Sequence, residues 1–245
     1  MLLSDQPVEF GRARVRRSVG PPVSDVERDG CRTSHATATR NRRFIILCLV
    51  LPVVALLGAT CTNPPIDPTV QNPPVVASDH VLGAPDAAVT VIEYANLHCS
   101  WCGLFERNDF PTIKAQYIDT GKVRWVFRHL VNMNDAAAVL SACATECAAD
   151  QYRYYDYREL VFQNQTDQSE AALKQHATTL GLDQTVFDAC LDSGGKVARV
   201  QQDVTSGVAL GVNATPTFFV ANEEIRGYQT AAQFAQVLDR HLAGA

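Results

Sequence analysis

From about residue 79 onward the chain alternates short apolar, β-branched runs with longer stretches in which apolar residues recur at helical spacing. Val89 to Tyr94 (VTVIEY), bounded upstream by Gly83, Pro85 and Asp86, predicts a buried strand. A helix follows to about Tyr117, ending near Gly121, and Lys122 to Leu130 (KVRWVFRHL) predicts a second strand. Strand, helix and strand in about 40 residues fit a right-handed crossover unit. Asn134 and Asp135 can cap a helix over Ala136 to Ala149, and Tyr152 to Phe162 continues helically with aromatic residues. Ser169 opens a further helix that ends at Gly181; Asp183 to Leu191 and Lys196 to Leu210 add two more, the last stopped by Gly211. Helical pieces in unbroken succession predict an all-helical insertion over about 134–211. Strand character returns at Pro216 to Val220, with a turn at Asn222 to Glu224 and a short partner strand at Ile225-Arg226. Thr230 caps a final amphipathic helix carrying Phe234, Val237, Leu238 and Leu242 on one face. The class is α/β.

Upstream of this body the pattern changes. Phe44 to Ala59 (FIILCLVLPVVALLGA) is a 16-residue apolar run without charge, preceded by Arg40, Arg42 and Arg43. A basic flank before an apolar core predicts a signal or signal-anchor segment over 44–60. Residues 62–78 hold five prolines and no aromatic residue, so 61–78 is expected to be an extended proline-rich linker. Residues 1–43 carry nine Arg against five acids and are expected to form a basic, disordered tail. Cys61 follows Leu57-Gly58-Ala59-Thr60, a sequence close to a lipoprotein signal but with the leucine one place early; lipidation there, cleavage near Ala59 and retention as an anchor are the alternatives.

Charge adds an exclusion. The net charge is -5, yet the 202 residues after the tail carry 12 basic and 21 acidic groups. An acidic body lacks the basic face that nucleic-acid binding needs. Eight cysteines are many for a chain in a reducing cytosol, which agrees with export.

The chemistry concentrates at Cys99-Ser100-Trp101-Cys102. A CxxC at a helix start puts the first sulfur among unpartnered backbone N–H groups at the positive end of the helix dipole, where a thiolate is stabilised. Cys99 is therefore expected to be the exposed nucleophile and Cys102 the shielded resolving thiol. A zinc site would need further ligands, and Cys143, Cys147 and Cys190 would have to converge from unrelated elements. A purely structural bridge is the other alternative. His98 precedes the nucleophile and, if protonated, would favour its thiolate; an ordinary loop histidine is the plainer reading. Trp101 either shapes a substrate surface or covers the helix end. Glu93 lies six residues before Cys99 inside an apolar strand, where an ionised acid is expensive unless paired. It could relay protons to and from Cys102, or turn outward or pair with an arginine such as Arg128. Thr215-Pro216 opens the Phe-rich strand, and a cis bond there would offer backbone groups to a substrate chain beside the thiols. The two halves around the helical insertion describe a thioredoxin fold.

An acid six residues before CxxC, a helical insertion, and Thr-Pro opening a Phe-rich strand together resemble the DsbA-like thiol–disulfide oxidoreductases of the thioredoxin superfamily. The resemblance covers about Asp79 to Leu242 and rests on Val89-Thr90-Val91-Ile92-Glu93-Tyr94 leading into the CxxC, and on Ala214-Thr215-Pro216-Thr217-Phe218-Phe219. It implies that Cys99 attacks, Cys102 resolves, Glu93 is the buried acid and Pro216 is cis. Two departures are Ser100, where the family often has proline, and Asn96, where it often has an acid; oxidising strength is not carried over. The resemblance also implies a structural Cys147–Cys190 disulfide, from the Cys147-Ala148-Ala149-Asp150-Gln151 and Phe187-Asp188-Ala189-Cys190-Leu191 contexts, with Cys143 as the rival partner.

The expected function is therefore an extracytoplasmic enzyme that forms or rearranges disulfides in exported proteins, tethered to or exported across the membrane through its N-terminal segment. No cofactor and no metal are expected. The partners are exported substrates with thiols or disulfides and a membrane redox protein that recycles the dithiol. A thiol reductase and a non-catalytic binding module are the alternatives.

Overall fold

Residues 72–245 are described by the computed structural model. The remainder of the chain, with the basic tail, the apolar run at 44–60 and Cys61, lies outside the described residues. Among those described, no helix is long and apolar enough to cross a membrane.

β2 (Val89–Ala95) lies at the centre of a five-stranded sheet of order β1-β3-β2-β4-β5. It pairs parallel with β3 (Val123–His129) and antiparallel with β4 (Thr217–Val220), which pairs antiparallel with β5 (Glu223–Arg226). β1 (Val81–Leu82) runs antiparallel to β3 at the far edge. Two residues carry too little pattern to mark β1 in the sequence. The central strands are buried on both faces, which is why β2 is mostly apolar, whereas β3 buries Arg128 and His129 along with its apolar residues.

Between β2 and β3 stand α1 (Ser100–Asn108), α2 (Phe110–Ile113) and a π-helical turn at Lys114–Ile118. One helix to about Tyr117 was the expectation; the structure divides it. Pro111 has no N–H to donate to the carbonyl of Arg107, and its ring crowds that carbonyl, so the helix breaks just before it. Asp109, at the break, accepts hydrogen bonds from the Tyr228 hydroxyl at 2.6 Å and the Ala231 N–H at 2.7 Å. The interruption thereby anchors the start of α8 (Ala231–Leu242), whose Thr230 and Gln233 form a reciprocal N-terminal cap.

Five helices separate β3 from β4: α3 (Ala136–Ala149), α4 (Tyr154–Gln163), α5 (Glu170–Thr179), α6 (Gln184–Asp192) and α7 (Val197–Ala209). Asp135, Ser169 and Asp183 cap three of them through side-chain oxygens. α1 and α8 cover one sheet face through Phe105, Trp125, Phe218 and Phe234. On the other face, α7 comes so close that a Cβ on Gly207 would meet Tyr94 and Leu130 at about 3 Å. The insertion has its own apolar core around Tyr157, Phe162 and Phe187, continuous with Cys102 behind the dithiol. Residues 72–78 lie along the body: Pro74 O accepts from Arg128 Nη2 at 2.6 Å, and Val75 packs beside Ile92 and Tyr94.

Candidate active site

The loop after β2 is shaped by its own polar groups. Asn96 accepts the His98 N–H through Oδ1 at 2.9 Å and the Cys99 N–H through its carbonyl at 2.9 Å. That turn delivers Cys99 to the N-cap of α1, where its Sγ accepts the Cys102 N–H at 3.4 Å. Cys99 is partly exposed and Cys102 fully buried, and both thiols are free.

The electrostatics of the two sulfurs diverge. The Cys102 thiol donates to the Cys99 sulfur, and this together with Thr215 and the N–H groups of Cys102 and Trp101 outweighs desolvation. The Cys99 pKa is brought down to about 5. Burial, the bond to Cys99 and the negative charge of Cys99 all push Cys102 far up. At neutral pH the pair therefore holds one thiolate, at Cys99, and one thiol.

The strand-opening loop completes the face. Thr215-Pro216 is cis, and Cys99 Sγ lies 3.4 Å from the Thr215 carbonyl. Trp101 is 57% exposed and packs against Tyr228 with ring centroids 5.8 Å apart. His98 turns its ring to the Ser141 hydroxyl of α3, 3.0 Å away.

Behind the dithiol lies Glu93, fully buried on β2. Arg128, one partner the sequence offers it, is engaged elsewhere: it binds Asp79 through two bonds of 2.7–2.9 Å and the Tyr94 hydroxyl at 2.8 Å. Glu93 Oε2 instead accepts from Trp125 Nε1 at 3.0 Å and lies 3.5 Å from Nη1 of Arg158 on α4. Arg158 Nη2 donates to Glu106 Oε1 of α1 at 2.8 Å. Its guanidinium is packed among the rings of Phe110, Phe127, Tyr155 and Phe162, 4.8–5.6 Å from their centroids. Desolvation raises the pKa of Glu93 against the pull of Arg158 and Trp125. Desolvation likewise lifts Glu106, to about 7.

Arg158, Glu106 and Trp125 escape a reading of the sequence because each stands on a different element. Gln165 and Gln168 escape for the same reason. Gln165 Nε2 donates to the carbonyls of Leu97 at 2.8 Å and Cys99 at 3.0 Å, and Gln168 Nε2 also donates to Leu97 O at 2.8 Å. The insertion thus grips the loop that carries the nucleophile. Gly103 makes room for this grip, since a Cβ there would fall 1.8 Å from Gln165 Oε1.

Cys147 of α3 and Cys190 of α6 are joined by a disulfide, and Cys143 is a buried free thiol. With two of its ligands tied in that bridge, a zinc site drawing on these cysteines and the dithiol does not assemble. A second polar cluster, His129, Glu146 and Asp203, brings its ligand-type atoms within 4.8 Å of one another. Arg199 pairs with Asp203 and stands 3.8 Å from Glu146, while His80 lies 2.9 Å from Glu146. Asp203 is thus paired with a cation of its own helix α7, and Glu146 Oε2 with an imidazole and a guanidinium, while Glu146 Oε1 has no hydrogen-bond partner among the described residues.

A family model described as thioredoxin matches residues 76–240, and the chain belongs to the thioredoxin family. Within that superfamily it is DsbA-like: the crystal structure of alpha-DsbA1 of Wolbachia pipientis matches with a TM-score of 0.62 and 30% identity, over 69% of this chain and 94% of that one. Disulfide bond formation protein D of Bacillus subtilis is 25% identical over 183 residues, 71% of this chain and 82% of that protein. The Na(+)/H(+) antiporter NhaA of Herminiimonas arsenicoxydans is 34% identical over 182 residues, 74% of this chain. The chain spans only 27% of the length of that antiporter.

Proposed function

We propose that this protein is an extracytoplasmic thiol–disulfide oxidoreductase that forms or rearranges disulfides in exported proteins through Cys99 and Cys102. The observation that carries the reading is the divided character of the two sulfurs. Cys99 caps α1, is partly exposed and has its pKa brought down to about 5, whereas Cys102 is buried behind it with its pKa raised.

In the oxidised protein a substrate thiolate attacks the Cys99 sulfur. The Cys99–Cys102 bond breaks, a substrate–Cys99 bond forms, and Cys102 leaves with the electron pair, taking a proton. Glu93, whose charge acts on Cys102, is the donor of that proton. A second substrate thiolate then attacks the substrate sulfur of the mixed disulfide, and Cys99 departs as a thiolate. The substrate gains one disulfide and the protein is left as the dithiol. A membrane redox protein supplies the disulfide that reoxidises it.

A sulfur with a low pKa leaves readily and stabilises the reduced protein. This favours the disulfide-forming direction over the reductase alternative. The Thr215 carbonyl beside Cys99 offers a strand-like contact for the substrate backbone. Beyond the described residues, the basic and apolar segment at 40–60 fits export or anchoring. The structural role we assign to Cys147–Cys190 is to hold α3 and α6 together.

The test is trapping with Cys102→Ser, which blocks resolution and should accumulate mixed disulfides through Cys99 with exported proteins and with the recycling partner. Absence of such adducts, together with failure to oxidise a reduced unfolded protein, would leave the fold as a binding module. A Cys99–Cys102 potential near about -120 mV is expected for the oxidising direction, and one near about -270 mV would reverse it.

A further inference from the structure

The helix before the cis Thr215-Pro216 bond ends as its sequence requires. Gly211 takes a φ of 77°, a left-handed value that favours glycine, and the N–H groups of Gly211 and Val212 return to the carbonyls of Val208 and Gly207 at 3.0 Å. This turn folds Val212 back onto the end of α7, where it is buried. Val200, Asp203, Val204 and Gly207 form the buried face of that helix, and Val208, one position round, is 64% exposed. Opposite stands the loop after β3. Leu130 N–H extends the pairing with β2 by donating to Ala95 O at 2.8 Å, and Val131 beside it is buried. Asn132 then holds the turn into α3, accepting the Asn134 N–H through Oδ1 at 3.0 Å and the Asp135 N–H through its carbonyl at 2.8 Å.

Between these two walls lies a cleft of about 300 Å³. The aliphatic side chains of Val131, Val204, Val208 and Val212 line it, Asn132 and Asn213 add exposed amides, and none of its lining residues is charged. Thr215 belongs to the same lining, and its carbonyl is 3.4 Å from Cys99 Sγ. The cleft therefore adjoins the nucleophile. It is distinct from the aromatic pair Trp101–Tyr228. The cleft is built where β3 ends and β4 begins, whereas Tyr228 follows β5, the edge strand on the far side of β4.

We propose that this cleft is a subsite for an aliphatic side chain two residues from the substrate cysteine, with Val208 as its specificity-determining residue. The inference rests on the dithiol function proposed above and narrows its substrates to cysteines in aliphatic, unfolded stretches. A chain that brings its cysteine to Cys99 passes the Thr215 carbonyl, a contact for an extended backbone. In an extended chain every second side chain points to the same face, and residues two apart are separated by roughly 7 Å. A side chain at that offset falls over the cleft beside Thr215. The absence of charge selects its chemistry, because an ionic group desolvated against four valines would find no partner. Folded proteins keep aliphatic side chains inside, whereas an unfolded chain offers them.

Val208→Asn tests this, because the residue is exposed and the amide replaces an aliphatic wall without adding charge near Cys99. The probes are single-cysteine peptides in excess, alike except for Leu or Ser two residues from the cysteine, on its N-terminal or its C-terminal side. The peptide thiolate opens the Cys99–Cys102 disulfide, and a second peptide resolves the adduct. Two peptides end joined by a disulfide, and the protein ends as the dithiol. In the wild type, the opening step should run about tenfold faster with Leu than with Ser in the series whose variable residue reaches the cleft, the scale of one aliphatic group in an apolar pocket. Val208→Asn should slow that Leu peptide about tenfold, to the rate of its Ser counterpart. The series that places Leu on the other side of the cysteine should not respond to the substitution.

Equal rates for Leu and Ser in both wild-type series overturn the inference, as does an advantage that persists in Val208→Asn. A variant that slows Leu and Ser peptides alike has suffered general damage, and that result also sinks the subsite. So does a variant whose one change is from dimer to monomer, which would make the cleft a contact between copies of this chain. Val186→Asn, at another exposed valine, on α6, is the control and should leave the preference intact. Loss of the preference there would deny Val208 its special part. If no peptide opens Cys99–Cys102 even in the wild type, the dithiol reading itself fails, which is a separate outcome.

Discussion

Cys99 shows how much one residue owes to position. Its side chain is an ordinary thiol; the N–H groups of α1, the Cys102 thiol and Thr215 make it a thiolate. Iodoacetamide should therefore modify the reduced protein at Cys99 with a rate that titrates near pH 5, against about 8.5 for a free cysteine. Cys102, fully buried, should stay unmodified until the protein unfolds. A midpoint above about pH 8, close to the free thiol, would show that the helix terminus does not stabilise the sulfur. The placement of the two sulfurs was legible in the sequence, because a CxxC before a helix puts its first cysteine at the N-cap and its second inside the first turn. The partner of Glu93 was not, since Arg158 stands 65 positions away on a helix of the insertion. Arg128, the nearer choice on the adjacent strand, projects from the opposite face of the sheet pattern and is taken by Asp79.

At the scale of elements, the insertion is coupled to the active-site loop through Gln165, Gln168 and Gly103. Gln165→Ala removes bonds to the Leu97 and Cys99 carbonyls, although Gln168 and the Gly103 N–H still serve those groups. Denaturation should report a loss of about 1–2 kcal/mol and alkylation a rise in the Cys99 pKa. Gly103→Ala drives a methyl into Gln165 and should cost at least as much. Combined, the two should cost less than their sum, because the clash disappears with the glutamine. Strict additivity would show that the side chain is not where this geometry puts it. A second element-scale prediction concerns Cys190→Ser. The bridge to Cys147 spans a sequence separation of 43, and its loss should lower unfolding stability by roughly 3–4 kcal/mol. A negligible change in urea midpoint would deny the bridge its structural part. Helix positions were largely readable because Asp135, Ser169, Asp183 and Thr230 are capping residues with local mechanisms. The break at Asp109 was not anticipated, since the apolar period runs on through Pro111 even though the backbone bond it needs is missing.

Across the whole molecule, the order of apolar runs and capped helices sufficed for the two halves of the fold, because parallel β2 and β3 require a crossover and β4-β5 form a hairpin, but not for the edge strand β1, whose two residues leave no pattern. The redox state should then be coupled to global stability. The Cys99 pKa is depressed in the folded reduced protein, to about 5, against about 8.5 in the unfolded chain. Stabilisation from that thiolate is fully present above the unfolded value and is lost as pH falls through about 5. The oxidised protein has no thiolate at Cys99 and gains nothing from this source. With the Cys147–Cys190 bridge left intact, the dithiol form should therefore melt at a higher temperature than the disulfide form at about pH 7. The gap should widen towards about pH 8.5, the unfolded value, and narrow by about pH 4, below the folded one. Calorimetry of both forms across that range checks it, and a gap that does not vary with pH would mean that the thiolate of Cys99 is not what favours the reduced state.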